Sequence, residues 1–339
     1  MIKKQLTIDY IKINLKIMPL TDLRNIYKRK RINLYFLHPP RGYTKKRVLF
    51  IVNPISGEKI ARWINSHVLK ILRSRYLTMD IVKTEYAGHA PEIVKANLNN
   101  YDIFVAVGGD GTANEVAGML IGTDKIFSIL PSGSGNGCAR ELGFPPIGLG
   151  LVRLMVKGDT KKMDVLYLND HHSINVSGIG YDATIAKRFQ KRESRGMFNY
   201  LLIILRSFFC YHPLDYHFYM DGQEISTKAF LISFANTRQF GNNAYIAPDA
   251  KYDDGLIDLV IIKPFPRKHS LKLGFYMMTK KMKSSPYVTT YQCKEIVFDE
   301  PYTRWYHIDG DPIKLRGPVK VTIAPEALRV FDTKRSIFH

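Results

Sequence analysis

A single carboxylate stands among three glycines in VAVGGDGTANEVAGML, residues 105–120. Asp110 follows Gly108 and Gly109 and precedes Gly111, between an apolar run and a segment with helical spacing. Glycines at such a strand–helix junction let backbone N–H groups approach a phosphate, and the helix dipole adds to the attraction. A carboxylate beside a phosphate is repulsive unless a cation separates them, and Mg²⁺ is commonly held there by one or two carboxylates. The segment therefore predicts that Asp110 binds a metal ion, or takes part in proton transfer, at a phosphoryl group.

A second glycine-rich loop, PSGSGN at 131–136, follows another apolar run. Neither loop has the Walker A pattern or the G-x-G-x-x-G pattern of dinucleotide sites, so each alone is equally consistent with a structural turn. Phosphoryl transfer also needs a group to accept the proton of the acceptor hydroxyl, usually a carboxylate within hydrogen-bonding reach. The candidates are Asp164, Asp253, Asp254, Asp309 and Asp311. Each of them can instead be a turn residue, and Asp309 is the one for which a plain hairpin turn is favoured.

Strand and helix patterns alternate over the first part of the chain. Apolar runs predict strands at 48–52, 79–84, 102–107 and 127–131, and helical spacing predicts helices at 60–76, 91–98, 113–120 and from Cys138 onward. This alternation predicts a Rossmann-like parallel α/β sheet. Three polar loops, NPISG, GGDGT and PSGSGN, follow the strands. We expect them to meet at one edge, because ligands in such sheets bind beyond the carboxyl ends of the strands.

After about residue 160 the pattern changes to alternating segments typical of an antiparallel sheet or sandwich. Turn signals occur at LND (168–170), at Asp221-Gly222 and at Asp309-Gly310. The apolar helix pattern at 197–209 is expected to be buried rather than to face lipid. We expect three parts: a basic, partly disordered extension (1–44), an α/β nucleotide-binding domain (45–160) and a β-rich substrate domain (161–333). The active site is expected in the cleft between the last two.

The formal net charge is +20, and basic residues are concentrated in three blocks. Residues 1–47 contain 13 Lys and Arg against two Asp, KRFQKRESR covers 187–195, and 263–283 holds seven basic residues and no acidic one. Each block alone can be a solvated face, but together they favour a polyanionic partner, which could be a nucleic acid, a nucleotide or an anionic lipid surface. No RNA- or DNA-binding motif occurs, so nucleic acid is not expected as a partner.

Three widely spaced cysteines give neither a disulfide framework nor metal-ligand spacing, which favours a reducing cytoplasm. The longest purely aliphatic run, 201–205, is far shorter than the roughly 20 residues that a bilayer span needs. The N-terminus also lacks the clean apolar block of a signal peptide. We expect a cytoplasmic protein with peripheral membrane association. Its oligomeric state stays open, with a homodimer as one option.

Six motifs occur in order along the chain: NPISG, KTEYAGHA, GGDGTANE, PSGSGNGCAR, APDAKYDDGLID and IDGDP. From about Lys46 to Val330 the sequence resembles the diacylglycerol kinase catalytic-domain family, which includes bacterial lipid kinases, sphingosine kinases and ceramide kinases and is distantly related to NAD kinases. The resemblance implies an α/β nucleotide domain and a β-sandwich domain with ATP in the cleft. It implies an ATP- and Mg²⁺-dependent transfer of the γ-phosphate to a hydroxyl of a membrane lipid, either diacylglycerol or a sphingoid base or ceramide. A soluble-metabolite kinase of the NAD kinase type is the alternative, and a non-catalytic binding protein is a third.

The resemblance also assigns site residues by motif. The nucleotide and its phosphates would be bound by Asn53, Pro54, Ser56, Gly57, Thr84, Gly108, Gly109, Asp110, Gly111, Thr112, Asn114, Glu115 and Ser134. Asp164 would lie near the acceptor head group, and Asp253 would belong to an acidic network around the site. A structural Mg²⁺ would be bound by the carbonyls of Lys251 and Leu256 and the carboxylate of Asp254.

Asp311 stands where the family's D-G-E motif has a glutamate, which is assigned as general base in bacterial members. Aspartate is one methylene shorter, so its carboxylate would have to act through a small backbone shift or a water molecule. Asp110 is the fallback base, a role that the resemblance to sphingosine kinases implies. The loop NPISGEK also lacks the further glycine that often follows in the family, which alters the loop after its first turn.

Overall fold

The computed structural model describes residues 44–56, 77–145, 149–190, 207–299 and 304–333. The predictions for the extension up to residue 43, for Gly57, for the helix at 60–76 and for most of 197–209 lie outside these residues.

The strands and helices that the sequence predicts within the described residues form in the predicted order, but the helices at Tyr181–Gln190 and Ser270–Met278 were not predicted. The strands are β1 (Lys46–Val52), β2 (Leu77–Lys83), β3 (Ile103–Gly108), β4 (Ile126–Pro131), β5 (Thr160–Leu168), β6 (His171–Ser173), β7 (Val176–Gly180), β8 (Leu214–Met220), β9 (Gln223–Ala229), β10 (Leu231–Ala235), β11 (Ile257–Ile262), β12 (Val288–Cys293), β13 (Glu295–Phe298), β14 (Arg304–Ile308), β15 (Asp311–Leu315) and β16 (Val319–Phe331). The helices are α1 (His89–Asn97), α2 (Asp110–Gly118), α3 (Gly137–Glu141), α4 (Leu149–Lys157), α5 (Tyr181–Gln190) and α6 (Ser270–Met278).

The first four strands form a parallel sheet in the order β2-β1-β3-β4. All residues of β3 are buried, and so is the apolar run of β1. The register pairs Val52 with Val107 and Gly108 with Pro131, so the strands end level with one another. The polar loops after β1, β3 and β4 therefore leave the same edge of the sheet, as predicted.

The long strand β16 joins this sheet to the antiparallel strands. It pairs in parallel with β4 at Val330 and Phe127, and antiparallel with β5 and β13. Within the described residues, one ten-stranded sheet runs β2-β1-β3-β4-β16-β13-β8-β9, with β5 attached to β16 and β6 attached to β5. A second sheet runs β12-β11-β10-β7-β14-β15. The predicted fold class, a parallel α/β sheet followed by an antiparallel β-sandwich, is confirmed.

The two sheets enclose an apolar core between their antiparallel parts. Leu166, Phe218 and Phe298 from the first sheet pack with Ile232 and Phe234 from the second. The opposite face of the second sheet is also apolar, and α5 and α6 pack against it through residues such as Ile185 and Leu273. Strand β10 is buried along its whole length because it lies between these two cores. No helix within the described ranges has the length and apolar character needed to cross a bilayer.

Candidate active site

The two glycine-rich loops after β3 and β4 lie in direct backbone contact. The backbone N–H of Ser132 donates to the Gly108 carbonyl at 2.9 Å. A side chain on Gly133 would place its Cβ 2.6 Å from the Gly109 Cα, so glycine is required for this approach. Asn136 holds the second loop closed, because its Oδ1 accepts from the Gly133 N–H at 2.9 Å and its Nδ2 donates to the Gly133 carbonyl at 2.7 Å. The contact explains the glycine at position 133.

Replacing Gly133 by alanine is expected to push the two loops apart and lower activity, because backbone atoms on the facing loop cannot move aside as a side chain can. A displacement of about 1 Å in a positioned site costs about 10²-fold in rate. Steady-state kinetics of Gly133→Ala would measure the loss. The matched control is Gly150→Ala on α4, where the new Cβ would meet Pro145 only at 3.6 Å. Unchanged kinetics in a folded Gly133→Ala protein would contradict the close-approach interpretation.

The loop after β1 is tied to the start of α2. The Asn53 N–H donates to the Val107 carbonyl at 2.9 Å, and its side-chain Nδ2 donates to Thr112 Oγ1 at 3.3 Å. Pro54 and Ser56 follow directly, and Thr84 lies at the end of β2, where its N–H donates to the Val52 carbonyl at 2.9 Å. The structure thus brings these predicted nucleotide residues to the sheet edge that carries the glycine loops.

Asp110 is the first residue of α2 and faces the start of α3. Its Oδ1 accepts a long hydrogen bond from the Cys138 N–H at 3.4 Å, and a Cβ on Gly135 would lie 3.0 Å from its Oδ2. Burial and, to a smaller extent, the nearby Asp309 carboxylate raise the pKa of Asp110 to about 6, although the backbone N–H groups at the start of α3 oppose both effects. Two carboxylates close together at a helix N-terminus form a site that favours a bound cation or proton.

Asp309 is buried and organises the site, although the sequence favoured it as a plain turn residue. It is 8% exposed and lies at φ +51°, with Gly310 at φ +97°, in the hairpin turn between β14 and β15. Its Oδ1 accepts from Ser173 Oγ at 2.6 Å and from the Asn175 N–H at 2.9 Å. Its Oδ2 accepts from Asn114 Nδ2 at 2.8 Å and from the Ile174 N–H at 2.9 Å. One carboxylate therefore joins α2, the β6–β7 connection and the β14–β15 turn.

Asp311 begins β15 directly after that turn, and its side chain is exposed. A Cβ on Gly111 would lie 2.9 Å from Asp311 Oδ2, so the Asp311 carboxylate lies over the first turn of α2. The structure thus brings the two predicted catalytic carboxylates, Asp110 and Asp311, to the start of the same helix, although they lie far apart in the sequence.

A buried Asp–His pair supports the turn from the other side, and the sequence analysis missed it. His307 Nε2 lies 3.1 Å from Asp182 Oδ2, and the side chains are 3% and 12% exposed. His307 Nδ1 accepts from the Gly310 N–H at 3.3 Å, so the ring proton is assigned to Nε2, which donates to Asp182. The pair connects the start of α5 to the backbone of the Asp309-Gly310 turn.

The polar segment 236–245, which follows β10, was also missed, because a run of amides without periodicity gives no structural signal. It pairs with the second glycine loop through a bridge between Asn136 and Gly241, and Thr237 donates a hydrogen bond to Asn175. Arg238 Nε also donates to the buried Glu141 at 2.7 Å. This segment therefore positions the PSGSGN loop from the sandwich side.

Comparison with known proteins identifies both halves of the chain. Residues 47–168 match the diacylglycerol kinase catalytic domain, and residues 175–332 match the YegS C-terminal NAD kinase beta sandwich-like domain. The chain belongs to the diacylglycerol kinase catalytic-domain family. It is therefore an enzyme of the lipid kinase class, for which ATP is the phosphate donor.

Relatives within the diacylglycerol kinase family cover most of the chain. A diacylglycerol kinase of Mycobacterium tuberculosis (strain CDC 1551 / Oshkosh) is 27% identical over 296 residues, 84% of this chain and 94% of the relative. A diacylglycerol kinase of Bacillus subtilis (strain 168) is 29% identical over 224 residues, 64% of this chain and 74% of the relative. The crystal structure of a diacylglycerol kinase from Bacillus anthracis str. Sterne aligns with a TM-score of 0.65 at 21% identity, covering 86% of this chain and 97% of that chain. At this level of identity, the similarity to the Bacillus anthracis structure shows the fold alone.

The remaining residues that the diacylglycerol kinase resemblance assigned lie at three further places. Asp164 is 1% exposed, and its oxygens accept from the Gly255 N–H at 2.7 Å and the Glu326 N–H at 2.8 Å. The structure shows Asp164 holding the 251–256 loop against β16, and its contact with an acceptor head group stays a prediction. Glu115 accepts from the Gly88 N–H at 3.1 Å, which ties α2 to the start of α1. Ser134 is exposed at the tip of its loop.

The 251–256 loop carries the predicted structural Mg²⁺ residues and Asp253. Asp253 lies 3.7 Å from Lys161 Nζ and is half-exposed. Asp254 Oδ1 accepts from the Leu256 N–H at 3.2 Å, and Lys251 is exposed at the start of the loop. No cluster of three or more His, Cys, Asp or Glu side chains with metal-binding geometry occurs in the part of the chain that the structure describes. A magnesium ion here would therefore depend on the backbone carbonyls that the prediction names.

Proposed function

We propose that this chain transfers the γ-phosphate of ATP, with Mg²⁺, to a hydroxyl of a membrane lipid, either diacylglycerol or a sphingoid base or ceramide. The observation that carries the proposal is the meeting of Asp110 and Asp311 at the start of α2, directly beside two glycine loops in backbone contact. Backbone N–H groups and a helix N-terminus bind phosphates, and carboxylates supply the cation site and the base that phosphoryl transfer needs.

The residues present fit a magnesium ion beside the phosphates. Asp110 and Asp309 form a crowded acidic pair in which the pKa of Asp110 is raised to about 6, mainly by burial. Ser132 Oγ and Ser56 Oγ are buried beside this edge without a hydrogen-bond partner among the described residues. Asp110 would hold Mg²⁺, directly or through water, and the ion when bound would neutralise charge on the phosphates.

A second magnesium ion fits the 251–256 loop. Burial and the neighbouring Asp254 raise the pKa of Asp258 to about 6, in that order of importance. Asp258 Oδ2 is buried and has no hydrogen-bond partner within the described residues. A cation bound by Asp254 and by the carbonyls of Lys251 and Leu256 would relieve this concentration of negative charge.

Each protein group has a separate role in the proposed reaction. The glycine loops and Thr112 orient the nucleotide phosphates, and Asn53 fixes Thr112. Asp311 accepts the proton of the acceptor hydroxyl as the oxygen attacks phosphorus. Asp309 and the Asp182–His307 pair hold Asp311 in place. Because the acceptor resides in a bilayer, the enzyme associates peripherally with an anionic membrane surface, for which the basic blocks supply the attraction.

The test of the reaction is transfer of label from γ-labelled ATP, with Mg²⁺, to a panel of acceptors. Diacylglycerol, dihydrosphingosine, ceramide and monoacylglycerol are presented in mixed micelles, with NAD as the soluble control. We expect a labelled lipid. Label on NAD alone would show a soluble-metabolite kinase, and label on none of the acceptors, despite ATP binding, would contradict the proposed acceptors.

Variants of Asp311 separate the two candidate bases. Asp311→Asn is expected to lower kcat by about 10²–10⁴-fold, the usual contribution of general base catalysis. Asp311→Glu should retain activity within roughly tenfold, because it keeps the carboxylate and restores the longer side chain. The readout is kcat in the micelle assay, with protein folding checked by circular dichroism. If Asp311→Asn keeps wild-type kcat, Asp110 is the base and the assignment of Asp311 is wrong.

A further inference from the structure

Helix α6 presents apolar residues on two opposite faces. Its inner face packs on the second sheet through Leu273, Tyr276 and Met277. Its outer face exposes Leu271, Phe275 and Met278, whose side chains are 86%, 60% and 59% exposed. These residues have the i, i+4, i+7 spacing of one helical stripe. A surface helix of a globular protein normally carries polar residues on its outer face, so this stripe needs a partner.

A fourth exposed apolar residue, Phe209, lies beside the turn that leads into α6. Phe209 is 58% exposed, and its ring lies 5.6 Å from the Arg267 guanidinium. Arg267 also donates to the Phe209 carbonyl at 3.1 Å, which ties Phe209 to the turn that leads into α6. We call Phe209, Leu271, Phe275 and Met278 the apolar cap.

The segment that carries α6 is rich in exposed cations, which we call the basic ring. The basic ring consists of Lys263, Arg267, Lys268, Lys272, Lys280, Lys281 and Lys283. The sequence has no acidic residue between Lys263 and Lys294. Four members of the basic ring have local partners. Lys283 lies 2.7 Å from Asp249, and three others lie over aromatic rings: Arg267 over Phe209 at 5.6 Å, Lys272 over Tyr276 at 5.5 Å and Lys280 over Tyr245 at 4.6 Å. Exposed apolar side chains among basic ones are typical of a helix that lies in the interface of an anionic bilayer.

The charge argues against a second copy of this chain as the partner. A twofold contact brings the same patch of both copies together. It would place two basic rings against each other with no acidic side chains from this part of the sequence between them. An anionic lipid surface would bury the apolar cap and would also attract the basic ring.

The apolar cap is linked to the candidate active site by one segment. The Tyr245 N–H donates to the Met277 carbonyl of α6 at 3.1 Å. Four residues earlier, Gly241 pairs with Asn136 of the PSGSGN loop. A surface bound through α6 therefore lies one short segment from the loop that would hold the nucleotide.

We propose that the apolar cap and its basic ring dock the enzyme on anionic lipid bilayers, with α6 in the plane of the interface. The inference rests on the proposed function in one respect: the bilayer to which the enzyme docks contains the acceptor lipid. Binding to lipid can be measured without ATP, so the two can fail separately.

The experiment is co-sedimentation of the full chain with vesicles of phosphatidylcholine alone or with about 30% phosphatidylglycerol, a surface to which basic clusters bind. Wild-type protein should bind the anionic vesicles preferentially. Leu271→Ser/Phe275→Ser should bind them roughly 10²-fold more weakly, because two large apolar side chains no longer enter the interface. Lys272→Gln/Lys281→Gln should bind more weakly and lose salt sensitivity.

The matched controls are Leu214→Ser, an exposed leucine on β8, and Lys228→Gln/Lys314→Gln, exposed lysines on β9 and β15. Both should bind like wild type. Activity on a short-chain diacylglycerol in mixed micelles should be unchanged in the cap variant, which shows that its fold and its site are intact.

Vesicle binding by Leu271→Ser/Phe275→Ser equal to wild type would overturn the docking proposal, even if lipid is phosphorylated. A wild-type dimer that the same substitutions convert to a monomer, with vesicle binding unchanged, would assign the cap to a second copy and also overturn it. Cap-dependent vesicle binding by a protein that phosphorylates no lipid would support docking and contradict the proposed function.

Discussion

Asp110→Asn will abolish phosphoryl transfer and, at pH 7 without metal, will make the protein more stable than wild type. Transfer should fall by about 10³-fold or more, because the carboxylate that would hold the cation at the phosphates is gone. The gain in stability arises because the wild-type protein must keep a buried carboxylate ionised beside Asp309 at pH 7.

The sign of the pH dependence follows from the raised pKa. Asp110 has a pKa of about 6 in the folded protein against an ordinary value of 3.8, so the folded state binds more protons between these limits. The stability of the wild type therefore falls as the pH rises from about 4 to about 6, and it levels off above that range. The free energy of unfolding of Asp110→Asn should equal that of the wild type at pH 4 and exceed it by about 1–2 kcal/mol at pH 7. This value is smaller than the full pKa shift would give, because the Asp110 side chain keeps some contact with water.

Thermal unfolding in EDTA between pH 4 and pH 7.5, beside the label-transfer assay, checks both effects. Asp124→Asn is the control, since it removes an equal charge from a side chain that is 80% exposed. If Asp110→Asn is more stable than wild type by the same amount at pH 4 and pH 7, ionisation of Asp110 is not the cause of the difference. Wild-type turnover by the variant would exclude the proposed role of Asp110.

Asp309→Asn should destabilise the protein by about 2–4 kcal/mol and remove most activity. Asparagine tolerates the positive φ of this turn, so the backbone conformation is kept. The new amide would face either the Asn114 and Ile174 donors on Oδ2 or the Ser173 and Asn175 donors on Oδ1. At least one buried backbone N–H, that of Ile174 or of Asn175, loses its acceptor in either orientation. Asp311 then loses the anchor that places it over α2.

The chain contains a matched control for this substitution. Asp221-Gly222 forms the turn between β8 and β9 with φ values of +47° and +81°, close to those of Asp309-Gly310. The Asp221 carboxylate also accepts backbone N–H groups, from Lys294 and Glu295, but it is exposed. Asp221→Asn should cost less than about 1 kcal/mol and leave kcat unchanged. Urea unfolding and kcat of both variants form the test, and equal effects at the two turns would contradict a special role for Asp309.

These two turns also mark the limit of prediction from the sequence. Asp-Gly between alternating segments predicts a hairpin, and both hairpins form as predicted. Nothing local distinguishes the exposed turn from the buried one, because the donors that surround Asp309 lie 134 to 195 residues away in the sequence. The Asp182–His307 pair was unpredictable for the same reason, since its residues are 125 positions apart.

Other features followed from local patterns. The meeting of the loops after β1, β3 and β4 was predictable, because parallel strands joined by helices end at one edge. For α6 the composition indicated a basic block, but not that Leu271 and Phe275 face outward. Apolar residues on all sides of a helix predict burial, and only the packed fold shows which face lacks a partner.

The position of β16 in the first sheet has a consequence for biosynthesis. β4 obtains its outer neighbour only from β16, the last strand of the described chain to be synthesised. While the ribosome makes the intervening part of the chain, the finished parallel strands have an open edge at β4 with unpaired backbone groups. An exposed strand edge of this kind can pair incorrectly with a strand of another partly folded chain, which leads to aggregation. The glycine loops, though complete early in synthesis, would therefore acquire their final support only when the last described strand has folded into place.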